Sequence, residues 1–178
     1  MYKIITSSIS LLLFSIILMS CSNSNNREKI MNISKLETIT QTDLHNLQEI
    51  QLYDIISTLK IAKHNLSKLE KKKMDSINIE IIYFEYKNYL HCVNSIYEAN
   101  QEIDELNNTL LINLNQLQDL KNDYINSKLK RIDLNNYFFE EMKIVQATSK
   151  KVNLTLDAIR KEINQFNYLN KKIEQFVN

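Results

Sequence analysis

Not one of the 178 positions of this chain is glycine or proline. At average usage of about 7% and 5%, roughly twenty such residues would be expected. Without glycine the backbone has no residue that takes positive φ without strain, so the tight type I′ and II′ turns of β-hairpins are hard to build. Without proline, nothing removes a backbone donor from inside a helix. The two absences predict an all-α chain, with asparagine at helix ends and turns, because after glycine it best tolerates the left-handed region. Enrichment in Asn, Ile and Lys also fits a genome of low GC content, which accounts for the asparagines but not for the missing glycines. At this length the chain supports one domain with a real core.

Apolar residues recur in a four-three alternation, the spacing of helices packed side by side. The clearest seam is the last: Phe138, Met142, Val145, Ser149, Val152, Leu156, Ile159, Ile163, Phe166, Asn170, Ile173, Val177. A second runs from Ile82 through Tyr86, Tyr89, Val93, Ile96, Asn100, Ile103, Asn107, Leu110, Leu114, Leu117 and Lys121 to Tyr124, with Leu106, Leu111 and Leu120 flanking it. An earlier seam reads Leu52, Ile55, Leu59, Ala62, Leu66, Leu69, preceded by Leu44 and Leu47. Ile30, Ile33, Leu36 and Ile39 suggest a further short helix. Thr42-Asp43, Asp75-Ser76 and Asp133 are candidate helix starts, since Ser, Thr and Asp side chains satisfy the unpaired donors there. Helices are expected near 43–72, 76–126 and 133–177, joined by short turns that make neighbours antiparallel. The result is an elongated bundle of three long helices, the longer two reaching roughly 65–75 Å. A break at Asn107-Asn108-Thr109 would make it four. Polar seam positions (Asn100, Asn107, Lys121, Ser149, Asn170) are expected to fix the register between helices; a polar channel is the alternative.

Residues 1–20 have a different composition. Lys3 is their one charged side chain, followed by an apolar run from Ile4 to Leu18 interrupted by Thr6, Ser7, Ser8, Ser10 and Ser15. This is the charge and length pattern of a signal peptide, and a spanning helix would need about 20 apolar residues. The run ends at Leu18-Met19-Ser20-Cys21, which resembles the bacterial lipobox. That resemblance implies cleavage before Cys21 and acylation of its sulfur and new amine. Acyl chains contributing about 0.8 kcal/mol per buried CH₂ would then hold the protein on a membrane. Ser22 to Lys29 is polar and without period, so residues 21–34 are expected to be the lipidated Cys and a flexible tether, with 35–178 the helical domain. No Asp follows Cys21, so the inner-membrane retention signal of enteric bacteria is absent.

Little in the chain suggests chemistry. Without glycine there is no phosphate-cradling loop and no strained nucleophile elbow. His45, His64 and His91 stand outside HExxH spacing, and no Glu-x-x-His of a helical di-iron site occurs. No enzyme, cofactor or metal is therefore expected. After Lys3 the chain carries 21 basic and 21 acidic residues, a neutral balance that does not favour nucleic acid or anionic lipid. Once Cys21 is lipidated, Cys92 has no internal disulfide partner; it reads as a small buried hydrophobe, or else as a reactive or intermolecular thiol.

The aromatic stretch 82–91 presents two faces. At 100° per residue, Ile82, Tyr86, Tyr89, Leu90, Val93, Ile96 and Tyr97 share one face, while Phe84 falls roughly opposite, with Ile77 and Ile81. This second face either packs on another helix or forms an exposed patch of Ile77, Ile81 and Phe84, with Tyr83 at its margin, able to anchor a partner protein.

Lipobox, polar tether, low-GC composition and helical domain together resemble the surface lipoproteins of Borrelia spirochaetes, among them the helical factor H-binding lipoproteins of relapsing-fever species. The one motif that carries the resemblance is Leu18-Met19-Ser20-Cys21, whose Met19 departs from the commonest lipobox. The resemblance implies an outer-membrane, surface-exposed module that recruits a host protein such as a complement regulator, plasminogen or a matrix component. A structural or self-associating envelope lipoprotein, pairing of two copies, a periplasmic orientation, and an exclusion lipoprotein of a phage or plasmid remain open beside it.

Overall fold

A computed structural model describes residues 2–71, 76–126 and 130–177, with side chains described over 26–71, 82–126, 130 and 132–177. The elements in chain order are α1 (Tyr2–Glu49), a π-helical turn (Ile50–Ile55), α2 (Ile56–Lys71), α3 (Ser76–Asn126) and α4 (Arg131–Val177). The π-helical turn joins α1 to α2 without interruption, so the molecule is three long helical rods. Among the described residues there is no strand.

Cross-helix contacts set the directions. Glu37 meets Lys121 at 2.6 Å and Gln51 meets Asn100 at 3.2 Å, so α1 and α3 run antiparallel. Tyr124 reaches Asn135 at one end of the α3–α4 pair and Glu85 reaches Lys172 at the other, so those two are antiparallel as well. Lys29 lies over the Phe138 ring and Asn65 bonds Asn170, which makes the first rod parallel to α4.

The seams are real, and wider than one row. In α4 the fully buried row includes Phe138, Val145, Val152, Ile159, Phe166 and Ile173, one per heptad. In α3, Leu106 and Leu120 are buried along with the expected Ile82, Tyr89, Ile96, Ile103, Leu110, Leu117 and Tyr124, whereas Leu111 is 48% exposed. The reason is geometrical: α3 packs on both other rods and needs two adjacent stripes. Each fully buried Ile, Leu or Phe contributes roughly 1.5–3 kcal/mol of transfer free energy, which outweighs the helix propensity of the intervening asparagines.

The first rod departs most from expectation. Its buried row is Ile33, Leu36, Thr40, Asp43, Leu47, Ile50, then Ile55, Thr58, Ala62, Asn65 and Leu69. Every step is three or four residues except Ile50 to Ile55. The π-helical turn sits on that step and absorbs one extra residue, so the same face stays inward. Leu52, expected on the seam, is therefore turned out and 57% exposed, and Ile39 is likewise outside at 43%.

Three boundary expectations are corrected. Thr42-Asp43 does not start a helix; Thr42 Oγ1 donates back to the Thr38 carbonyl at 2.9 Å within a continuous α1, and Asp43 is in the core. The supposed break at Asn107-Asn108-Thr109 is absent: α3 is unbroken from Ser76 to Asn126, with Thr109 Oγ1 donating to the Glu105 carbonyl four residues back inside it, leaving three rods. The tether does not reach residue 34. Ile33 is fully buried, Ile30 packs beside it, and Lys29 Nζ sits 4.1 and 4.6 Å from the Phe138 and Phe139 ring centroids. A packable row at positions 30, 33 and 36 overrides the polar composition just before it. Asp133 lies in the first turn of α4, two residues inside its start, where a carboxylate suits the helix dipole.

The core falls into two clusters. The larger joins Leu47–Leu69 with Ile82–Leu110 and Val152–Ile173, and the smaller joins Ile33 and Leu36 with Leu117–Tyr124 and Leu134–Val145. Between them, Asp43, Asn113, Thr148 and Ser149 form a polar layer. Asn113 Nδ2 donates to Thr148 Oγ1 at 3.2 Å, and the Ser149 hydroxyl hydrogen-bonds the Asp43 carboxyl.

Candidate functional site

Each rod has an inward face fixed by packing, and what remains outside defines the candidate surfaces. At the start of α3, Ile82 is buried, Tyr86 packs against the core, and Glu85 is held by Lys172 at 3.3 Å. Positions 83 and 84 are thereby turned to solvent: Tyr83 is 60% and Phe84 70% exposed. No other rod covers Phe84. The side chains of Ile77 and Ile81 lie outside the described residues, as does that of Cys21. Tyr83 and Phe84 sit at the end of the bundle occupied by Lys172, whereas Lys29 marks the opposite end beside Phe138. Roughly 60 Å of helix separates the two ends.

Four of the five polar seam residues bond across rods. Asn100 accepts from Gln51 at 3.2 Å, Lys121 binds Glu37 at 2.6 Å, and Ser149 bonds Asp43. Asn170 is the hub of a layer drawn from all three rods: Asn65 Nδ2 donates to its Oδ1 at 2.8 Å, the Tyr89 hydroxyl donates to the same oxygen at 3.0 Å, and its Nδ2 donates to Glu174 at 2.9 Å. The Tyr89 ring packs on Phe166 with centroids 5.2 Å apart. Burial pushes the Tyr89 hydroxyl up to about 12, so it remains a neutral donor. These contacts fix register and do not line a channel. Asn107 is the exception, its Oδ1 enclosed without a partner among the described residues.

Cys92 is fully buried and its thiol donates to the Glu162 carbonyl at 3.1 Å. Burial, then a hydrogen bond with the Glu162 side chain, push it up to about 12. It is a packed hydrophobe, and an intermolecular bridge would require the rods to separate. His45, His64 and His91 are all exposed, and His45 lies 3.4 Å from Glu49. Among the described residues no three His, Cys, Asp or Glu side chains gather as metal ligands. An open groove of about 260 Å³ between α3 and α4 has Ala99, Ala158 and Ile159 in its floor and Glu98, Glu102 and Glu162 on its rim. Lys151 occupies Glu102 at 3.3 Å. The groove lacks the enclosed, convergent polar groups that fix a small molecule.

Two features escaped the spacing analysis. One is Asp43, 6% exposed, with Oδ2 lacking a partner among the described residues; burial raises its pKa and the Ser149 bond acts against that rise. The other is the outward turn at Leu52, Tyr53 and Ile56, between 52% and 66% exposed. The five-residue step from Ile50 to Ile55 was the available signal for both. Followed through Leu36, Thr40, Asp43, Leu47 and Ile50, the row places Asp43 inward and Leu52 outward.

Among the described residues, no helix is long and apolar enough to cross a membrane. The chain matches no protein-family model, no curated protein and no solved structure.

Proposed function

We propose that this chain is a lipoprotein anchored through Cys21, with its helical bundle exposed at the outer surface of a spirochaete-like bacterium, and that it captures a host plasma or matrix protein. The observation that carries the reading is the placement of Tyr83 and Phe84. Two large aromatic side chains stand exposed on a packed helix, at the end of the bundle opposite Lys29 and hence farthest from an anchor at Cys21. Exposed aromatics on a rigid element bind with little ordering cost and are the residue class on which protein interfaces concentrate their energy. Leu18-Met19-Ser20-Cys21 supports the anchor.

Residues 22–178, immobilised without lipid and exposed to whole host plasma, test the reading. One dominant, saturable plasma protein is expected, and Tyr83→Ala/Phe84→Ala should abolish its retention. Retention of nothing beyond a scrambled-helix control contradicts host capture, and equal retention by the double variant removes the tip from the account. Protease digestion of intact cells should degrade the protein; sparing it would place the bundle in the periplasm.

A further inference from the structure

Ile125 and Ile132 are the most exposed isoleucines among the described residues, at 59% and 69%, and they flank one junction, where α3 ends at Asn126 and α4 begins at Arg131. Packing does not require apolar side chains there, because the buried row at this end is Leu117, Leu120, Tyr124, Leu134 and Phe138. The Lys130 carbonyl accepts from the Asp133 and Leu134 amides at 3.0 and 3.1 Å, which puts Ile132 in the first turn of α4. Helical Cα–Cβ bonds lean toward the N-terminus, so the Ile132 side chain leans off the end of the bundle. Tyr137 is half exposed and stands about 7 Å farther along α4.

Charge at this end departs from the neutral total. Residues 123–133 carry Lys128, Lys130 and Arg131 against Asp123 and Asp133, and residues 26–31 carry Arg27 and Lys29 against Glu28, so five basic residues stand against three acidic ones. Arg27, Glu28 and Lys130 are exposed. This is also the end that an anchor at Cys21 holds nearest to a bilayer. Glu37 meets Lys121, so ten residues nearer the start of antiparallel α1, Arg27 comes level with the junction of α3 and α4. Cys21 precedes Arg27 by six residues, which is about 9 Å along a helix and about 20 Å fully extended.

We propose that this end of the bundle is a foot that rests in the headgroup layer of an anionic bilayer. Ile125 and Ile132 enter the boundary with the acyl chains, Tyr137 stands at headgroup level, and Arg27 and Lys130 face lipid phosphates. Distance identifies the occupant: a folded partner would have to fit a gap of at most about 20 Å between bundle and membrane, whereas headgroups already fill it. Exposed aliphatic side chains bordered by lysine and arginine are the chemistry of an interfacial contact, where apolar groups enter the acyl boundary and basic ones are drawn to anionic lipid. The proposal rests on attachment at Cys21 and is independent of host capture at Tyr83 and Phe84. A single acylated residue leaves the bundle free to swing about its anchor; the foot adds a second contact that fixes its axis against the membrane.

The chain has no tryptophan, so a single one reports its own surroundings. Residues 21–178 contain both core clusters and are coupled through Cys21 to a maleimide lipid, while Cys92 stays buried and silent. This coupling supplies the anchor whether or not a cell acylates Cys21, so failed acylation and a failed foot are separate results. On vesicles of phosphatidylcholine and phosphatidylglycerol, the emission of Ile132→Trp should shift to the blue and be quenched by brominated acyl chains several-fold more than that of Tyr97→Trp, which stands about 40 Å away along α3. Adding Ile125→Ser, adding Arg27→Glu/Lys130→Glu, or using phosphatidylcholine alone should each cut the quenching of Ile132→Trp several-fold, with circular dichroism showing the helices intact. The proposal is overturned if Ile132→Trp is quenched no more than Tyr97→Trp on vesicles that flotation shows to carry the chain. It is overturned equally if the quenching ignores both the charge reversal and the loss of phosphatidylglycerol.

Discussion

Two polar layers cross this bundle, and they are built differently. The layer of Asn65, Tyr89 and Asn170 lies inside the larger core cluster, draws one residue from each rod, and pairs both polar atoms of Asn170. The layer of Asp43, Asn113, Thr148 and Ser149 lies between the two clusters and leaves one carboxylate oxygen of Asp43 without a partner among the described residues. A fully satisfied layer sets register at small net cost, because each buried donor finds an acceptor. A buried carboxylate with an unpaired oxygen instead makes the fold sensitive to its protonation. The first layer specifies how the rods align. The second makes stability at the middle of the bundle depend on pH.

The largest expected effect comes from breaking the satisfied layer. Asn170→Ala removes the acceptor shared by Asn65 and Tyr89 and leaves both donors buried, with a small cavity. A loss of about 2–4 kcal/mol is expected, read as a lower urea midpoint at unchanged m-value. An effect near zero would mean that the layer contributes no stability.

Asp43→Asn sharpens the other side of the comparison. Burial raises the folded-state pKa of Asp43 above its ordinary value of 3.8. The folded state therefore holds the proton more tightly than the unfolded chain does. Its contribution is fully present below the unfolded pKa and is lost as pH rises through the folded one, so stability should increase on acidification from neutral pH. Glu141, raised by burial and then by the charge of Glu140, adds in the same direction. Asp43→Asn should gain about 1 kcal/mol at pH 7 and flatten most of this dependence, as melting temperature against pH would show. A parent chain that melts lower at pH 5 than at pH 7 would contradict the assignment.

Cys92 lies in the same cluster as Tyr89 and reports opening of that half, since its buried thiol reacts only when the rods part. Alkylation in native conditions should speed up by at least about tenfold in Asn170→Ala and should not speed up in Asp43→Asn at pH 7. The smallest effect is expected outside both layers. Phe84→Ala, at 70% exposure, should shift stability by no more than about 0.5 kcal/mol, so lost partner capture in that variant would not reflect unfolding.

The sequence made α3 and α4 legible because their four-three spacing is uninterrupted and mostly apolar. The first rod was harder. Thr40, Asp43, Thr58 and Asn65 occupy its buried row, and a search for apolar residues sees gaps there. The extra residue between Ile50 and Ile55 then shifted the visible pattern, which drew Leu52 into the seam and suggested a new helix start at Thr42-Asp43. Leu106 and Leu120 looked peripheral because one stripe was assumed where α3, packed on two neighbours, needs two. Angular position placed Phe84 opposite the seam of α3 but could not say whether another rod covers it; its 70% exposure became visible only in the packed bundle. The clamp of Gln51 on Asn100 and Asp104 could not be read either, since it joins two rods through polar residues outside the apolar pattern.

The central claim is that the bundle presents Tyr83 and Phe84 away from the membrane that holds its other end. Energy transfer to acceptor-labelled lipid headgroups tests it directly, with a donor placed at Met31→Cys or at Phe84→Cys in the lipid-anchored chain. With roughly 60 Å of helix between the two ends, transfer should be strong from position 31 and nearly absent from position 84. Equal transfer from both positions, or stronger transfer from position 84, would contradict the account.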